Sequence, residues 1–286
     1  MTIQLAYQHL AAKLCDIYEP REAANIADMI IEHVTGQRKI DRITNKYLPV
    51  NAGQQEMLEK YTNELLAHKP IQYVIGEAWF MEMKLRVNEN VLIPRPETEE
   101  LVDWIIKDIQ LGETKNLSLL DIGTGSGCIP IAAKKLVPDI SVFAVDISEE
   151  ALQLASINAI EQHVLVDFIH LDFLNEKEWV QMSKYDIIVS NPPYIKKSES
   201  IWMNKNVLGY EPHIALFVPN EDALLFYKSI AKFGLHHLKE KGALYVEINE
   251  ALGDLVVQNF EENGYSEIQL KKDMQGKDRM VKAKKP

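Results

Sequence analysis

The chain has 286 residues, 47% hydrophobic and 26% charged, and its 31 basic against 42 acidic side chains give a formal net charge of −11. These globular values fit one large domain or two modest ones, and the acidic balance argues against life on nucleic acid or an anionic membrane. Cys15, Cys128 and eight scattered histidines lack disulfide or ligand spacing, so no metal is expected.

The first seventy or so residues carry helical periodicity. Leu10, Leu14, Ile17 and Tyr18 share a face until Pro20; Ile26, Ile30 and Val34 follow, with Gly36 as the expected C-cap. Leu58, Tyr61 and Leu65 form a further amphipathic face before Pro70. A small helical domain over 1–75 follows from this pattern. Trp79 to Val87 alternates and is aromatic, and Asn88-Glu89-Asn90 reads as the turn of a hairpin, giving a linker over 76–94.

A third region, 95–286, alternates strands with helices. Leu117–Ile122, Ser141–Val145, Val166–His170, Tyr185–Ser190 and Ala243–Ile248 are apolar runs of strand length. Cys128–Leu136, Ser148–Glu161 and Asp222–Leu238 are helix-like, so an α/β fold with a parallel sheet covered on both faces is expected. Ser266–Leu270 and Arg279–Lys282, joined by a short connection, predict an antiparallel pair at the sheet edge. The start of the chain shows no signal pattern and no apolar run is long enough to span a bilayer, so a cytoplasmic, non-membrane protein is expected.

Two motifs carry chemistry. Gly123-Thr124-Gly125-Ser126-Gly127 lies between the first strand and its helix, where glycines admit close approach of a ligand. Cys128 occupies the third glycine position of the dinucleotide fingerprint, so the spacing disfavours a nicotinamide cofactor and matches S-adenosyl-L-methionine-dependent methyltransferases. Asp146 ends the second strand, where a carboxylate either accepts from ribose hydroxyls or caps the next helix. Asp172 and Phe173 follow the third strand and read as adenine contacts or as a turn. The second motif, Asn191-Pro192-Pro193-Tyr194, follows a buried strand. Prolines offer no N–H, so the Asn191 oxygen and the Pro192 carbonyl can accept both hydrogens of a planar NH2 group, with Tyr194 over its face. The alternative is an ordinary proline turn.

With these residues in hand, the chain resembles the PrmC/HemK family of protein-(glutamine-N5) methyltransferases that act on peptide chain release factors. The resemblance runs along nearly the whole chain, through Pro70 to Glu77, Val91-Leu92-Ile93-Pro94-Arg95-Pro96-Glu97-Thr98-Glu99, the glycine loop, Asn191 to Tyr194 and Tyr210-Glu211-Pro212. It implies a Rossmann-like class I methyltransferase sheet, mostly parallel with an antiparallel last strand, behind a small N-terminal helical domain that docks the substrate. The resemblance further implies S-adenosyl-L-methionine as donor, S-adenosyl-L-homocysteine as product, and the glutamine of the Gly-Gly-Gln motif of class I release factors as recipient. Asn249 and Leu252 depart from the Gly and Gln that the family commonly carries there. A monomer with no direct nucleic-acid contact is expected. An adenine-N6 nucleic-acid methyltransferase is the alternative, because it presents an amino nitrogen to a similar lip; it needs a basic track and a flipped-base pocket. A non-catalytic module that keeps the cofactor fold is a further rival.

Overall fold

The structure is a computed structural model that describes residues 1–112 and 116–285. Two compact units divide the chain: Met1–Gly76 with Asn204–Tyr210, and Glu77–Met203 with Glu211–Pro286.

The first unit is built of the helices Ile3–Leu14, Pro20–Thr35, Asp41–Asn45, Ala52–Leu66 and Ile71–Ile75. Local signals set their ends. Thr2 accepts from the Leu5 N–H, Pro20 opens the second helix, Gly36 closes it, and Asn51 with Gln54 forms a reciprocal capping box. Leu14, Ile30, Ile31 and Leu65 are wholly buried among the apolar faces. Ile17 and Tyr18 do not extend the first helix as the periodicity implied. Both donate to the Leu14 carbonyl in a closing turn, and the extended Glu19 before Pro20 separates it from the next helix.

The segment over 76–94 opens with a hairpin. Strands β1 (Glu77–Phe80) and β2 (Met83–Arg86) pair antiparallel, and Phe80, Met83 and Leu85 join the core formed by Leu101, Ile105 and Leu119. The hairpin turns at Met81-Glu82, both left-handed, rather than at Asn88-Glu89-Asn90. No glycine or asparagine marks this turn. It is held from outside, by the Met81 N–H donating to Glu99 Oε1 at 2.7 Å.

The main sheet contains β3 (Ser118–Ile122), β4 (Ser141–Asp146), β5 (Asp167–His170), β6 (Tyr185–Ser190), β9 (Leu238–Glu247), β10 (Ser266–Lys272) and β11 (Asp278–Lys284); β7 (Ile195–Lys196) and β8 (Phe217–Val218) form a separate small pair. Its order is β10-β11-β9-β6-β3-β4-β5, with β11 antiparallel to both neighbours and the β9-β6-β3-β4-β5 ladders parallel. Alternate residues feed two cores: Leu120, Ile188 and Leu244 on one face, and Leu119, Ile187 and Tyr245 on the other. β9 begins at Leu238, five residues before the expected start, because the preceding helix, Leu225–His237, runs directly into it.

Register places the chemistry. Ile122 lies opposite both Val145 and Ser190, so Gly123, Asp146 and Asn191 emerge side by side from the carboxyl edge. The Ser190 hydroxyl donates to the Ile122 carbonyl at 2.7 Å, tying β6 to β3 at that edge. In open α/β sheets this edge is where ligands bind.

Candidate active site

A cavity at this edge is lined by the glycine loop, by Asp146 to Ser148, by Leu171 to Leu174, by Ser190 to Pro193 and by Asn90 to Arg95. The loop folds back onto β4: the Gly123 and Thr124 N–H groups both donate to the Val145 carbonyl. Gly123, Gly125 and Gly127 all have positive φ. Gly127 is the most constrained, since a Cβ there would meet Ala155 Cβ and Ile131 Cδ1 at 3.0 Å. The Asn158 amide, fully buried on the helix Glu149–Glu161, donates to Ser126 O (2.9 Å) and Arg86 O (3.0 Å), joining the loop to the hairpin.

Asp146 Oδ2 accepts from the Gly125 N–H (2.8 Å), and Oδ1 accepts from the Ser148 N–H (3.0 Å). It is not the cap of the following helix. That role falls to Ser148, whose hydroxyl accepts from the Ala151 N–H at 3.1 Å. Burial raises the Asp146 pKa against the pull of these N–H groups. Asp121, at the end of β3, is completely buried, and neither carboxyl oxygen has a partner of ordinary hydrogen-bond geometry among the described residues. Burial pushes it up to about 7, with the Thr124 hydroxyl pulling back and the charge of Asp146 adding. The sequence reading passed over Asp121 although it opens the glycine motif.

Asp172 and Phe173 both line the cavity. Asp172 also makes a turn, with Oδ1 accepting from the Leu174 N–H at 3.0 Å. The Phe173 ring belongs largely to an aromatic core, 5.5 Å from Trp179 and 5.3 Å from Phe233.

On the facing side, Asn191 Nδ2 donates to Thr98 Oγ1 (3.0 Å), and the Thr98 hydroxyl donates to Glu247 Oε2 (2.6 Å). Asn191, Pro192 and Pro193 line the cavity; Tyr194 does not. Tyr194, expected over the face of a bound amide, packs against the core beside β9, with its hydroxyl 3.4 Å from Glu247 Oε1. An apolar ring with a polar tip gains more there than against an open cavity. Burial pushes Glu247 up to about 7, against the Thr98 hydrogen bond and the charge of Arg279. Arg95, which lines the cavity, pairs with the buried Glu211 at 2.6 Å. Glu247 and Thr98 were not among the expected site residues. The signal was a carboxylate closing an otherwise apolar strand.

At 43% identity, a release factor glutamine methyltransferase from Flavobacterium psychrophilum aligns over 94% of this chain and 94% of its own length. The chain belongs to the release factor glutamine methyltransferase family. A second member, from Bacteroides thetaiotaomicron, is 43% identical over 96% of this chain and 97% of its own. The family model described as PrmC N-terminal domain matches residues 6–76, and the methyltransferase small domain matches residues 105–207. A methyltransferase structure from Pyrococcus furiosus superposes with a TM-score of 0.52 at 16% identity, covering 82% of this chain and 99% of that one, a likeness of fold. The protein is thus an enzyme of the class I methyltransferase fold. Family and fold imply S-adenosyl-L-methionine as methyl donor.

The residues present fit that group. A Cβ at Gly123 or Gly125 would project into open space beside the cavity, and Asp146 sets a carboxyl on the cavity wall for a ligand of net positive charge. Asn249 and Leu252, which depart from the family pattern, are absorbed locally. Asn249 Oδ1 accepts from the Ala251 N–H at 2.9 Å, and Leu252 packs into the core.

Proposed function

We propose that the enzyme transfers a methyl group from S-adenosyl-L-methionine to the side-chain amide nitrogen of the glutamine in the Gly-Gly-Gln motif of class I peptide chain release factors. The donor supplies a methyl carbon made electrophilic by its sulfonium, and leaves as S-adenosyl-L-homocysteine. Gly123 to Gly127 would receive its methionine and ribose portions, Asp146 would accept from the ribose hydroxyls, and Asp172 and Phe173 would border the adenine.

Amide resonance makes the recipient nitrogen a weak nucleophile. Asn191 Oδ1 and the Pro192 carbonyl would accept its two hydrogens and turn the nitrogen towards the methyl carbon, while Pro193 shapes the wall. The same two dipoles favour the positive charge that grows on nitrogen during attack. As the new carbon–nitrogen bond forms, the carbon–sulfur bond breaks, and the nitrogen then releases one proton to water. Well-aligned reactants gain about 7–11 kcal/mol from positioning, enough to make it the main contribution. Tyr194 would brace the lip from behind.

One observation supports this reading above the others. Asn191 lines the same cavity as the glycine loop, with its Oδ1 accepting from no described residue. Against the nucleic-acid alternative, the basic side chains near the end of the chain are spent within the fold. Lys282 pairs with Asp108 at 2.7 Å, Lys284 with Glu267 at 2.6 Å, and Lys271 covers Trp104. The helical unit, with Ile40, Ile43 and Tyr47 exposed, would offer the recipient a second docking surface.

Mass mapping of a class I release factor after incubation with enzyme and donor tests the proposal. One added methyl on the Gly-Gly-Gln glutamine is expected. Label found only in nucleic acid, or no transfer despite donor binding, would contradict it.

A further inference from the structure

A hydrogen-bond chain runs from the cavity wall at Asn191 and Thr98 to Glu247 behind it. Thr98 is 2% exposed and Glu247 1%. Thr98 sits in the first turn of the helix Pro96–Leu111, and Glu247 is the last residue of β9. A hydroxyl has one proton to give. With Glu247 ionised, that proton goes to Glu247 Oε2, 2.6 Å away, which leaves Thr98 Oγ1 able only to accept. Asn191 must then present Nδ2, at 3.0 Å, and not Oδ1. An amide turned the other way would set two lone pairs against each other in a buried place. The surrounding network decides which end of an asparagine faces a hydroxyl, and an ionised Glu247 selects Nδ2.

We infer that Thr98 and Glu247 are positioning residues that lock the carboxamide of Asn191 in the one orientation that turns its oxygen towards the recipient amide. The inference rests on the proposed role of Asn191. Glu247 is itself held on several sides. Its other oxygen is 3.4 Å from the Tyr194 hydroxyl, its backbone carbonyl accepts from the Tyr227 hydroxyl at 3.1 Å, and Arg279 supplies positive charge nearby. One carboxylate therefore fixes both ends of the Asn-Pro-Pro-Tyr motif: the asparagine through Thr98, and the tyrosine directly. A reversed amide would offer the recipient N–H groups a donor in place of an acceptor, and repel them.

The experiment compares Thr98→Val, which keeps shape and loses the hydroxyl, with Thr98→Ser, which keeps the hydroxyl. The full chain is used, with S-adenosyl-L-methionine and a class I release factor. Thr98→Val should lower kcat by roughly tenfold, the worth of one lost buried hydrogen bond, with the donor Kd within about twofold, and Thr98→Ser should restore most of the rate. In an Asn191→Ala background Thr98→Val should add no further loss, since the two act as a unit. Should Thr98→Val prove unstable, Thr98→Ala against Thr98→Ser carries the same contrast. Equal rates with and without the hydroxyl, or full additivity with Asn191→Ala, would overturn the inference. If Asn191→Ala by itself leaves kcat unchanged, the acceptor role of Asn191 fails first, and that result is distinct from a failure of Thr98 alone.

Discussion

Two buried carboxyls, Asp121 beneath the glycine loop and Glu247 beneath the acceptor lip, are both pushed up to about 7 by burial, yet they are used in opposite ways. Glu247 spends one oxygen on Thr98 and turns the other to Tyr194, so its side chain is part of a fixed frame. Asp121 has no partner for either oxygen among the described residues. A buried charge without a partner is costly. Asp121 does not line the cavity, and burial keeps it protonated up to about 7 instead of leaving a bare charge. The wall at the acceptor lip is therefore tied into a frame by hydrogen bonds, whereas the carboxyl behind the glycine-loop wall is kept neutral by burial.

The contrast breaks most sharply at Asn191. Asn191→Ala should cut turnover by about 10²–10³-fold, the range seen when a preorganised dipole is removed from a transition state, while donor affinity changes little. Steady-state kinetics with an independent donor-binding measurement check this; comparable losses in both would make Asn191 a part of the donor pocket.

A slightly smaller effect concerns pH. Asp121 holds its proton in the folded state from its ordinary value of 3.8 up to about 7, whereas the unfolded chain gives it up near 4. The folded state binds more protons across that window, so stability of the ligand-free enzyme falls as pH rises from about 4 to 7. Asp121→Asn should remove roughly 2–4 kcal/mol of that slope. Denaturant midpoints from pH 5 to 8 report it, and curves parallel to wild type would show that Asp121 is not the group responsible. Glu247 shifts in the same direction, so Asp121→Asn should not abolish the slope. Donor binding should release protons in the same window, because a cation favours the ionised carboxylates.

Asp146→Ala should weaken donor binding by about 2 kcal/mol, roughly 30-fold, the scale of hydrogen bonds to a charged acceptor. Titration calorimetry measures it, and unchanged affinity would sink the ribose role. The smallest effect tests the loop itself. Gly127→Ala, at φ +78 and against Ala155 and Ile131, should cost about 1–2 kcal/mol of stability; a thermal midpoint equal to wild type would show that the loop relaxes freely.

The same two walls differ in how far sequence reveals them. The glycine loop, Asp146 and the Asn-Pro-Pro-Tyr run are contiguous signals at strand ends, and the alternating pattern placed those ends on one sheet edge. Asp146 escaped the helix-cap reading only because Ser148 takes that role, which residue types alone do not decide. Thr98 and Glu247 are 149 positions apart, and only the meeting of a helix start with the end of β9 joins them. The Met81-Glu82 turn was hidden for a similar reason, since its support comes from Glu99. Tyr194 packs beside Glu247, and a ring beside two prolines does not say which side of the lip it will meet.

A crystal structure with S-adenosyl-L-homocysteine and a Gly-Gly-Gln peptide bound tests the central claim most directly. The glutamine nitrogen should lie within hydrogen-bond distance of both Asn191 Oδ1 and the Pro192 carbonyl, with the glycine loop on the far side of the donor sulfur. A glutamine amide bound elsewhere, or one facing Asn191 Nδ2, would contradict the account.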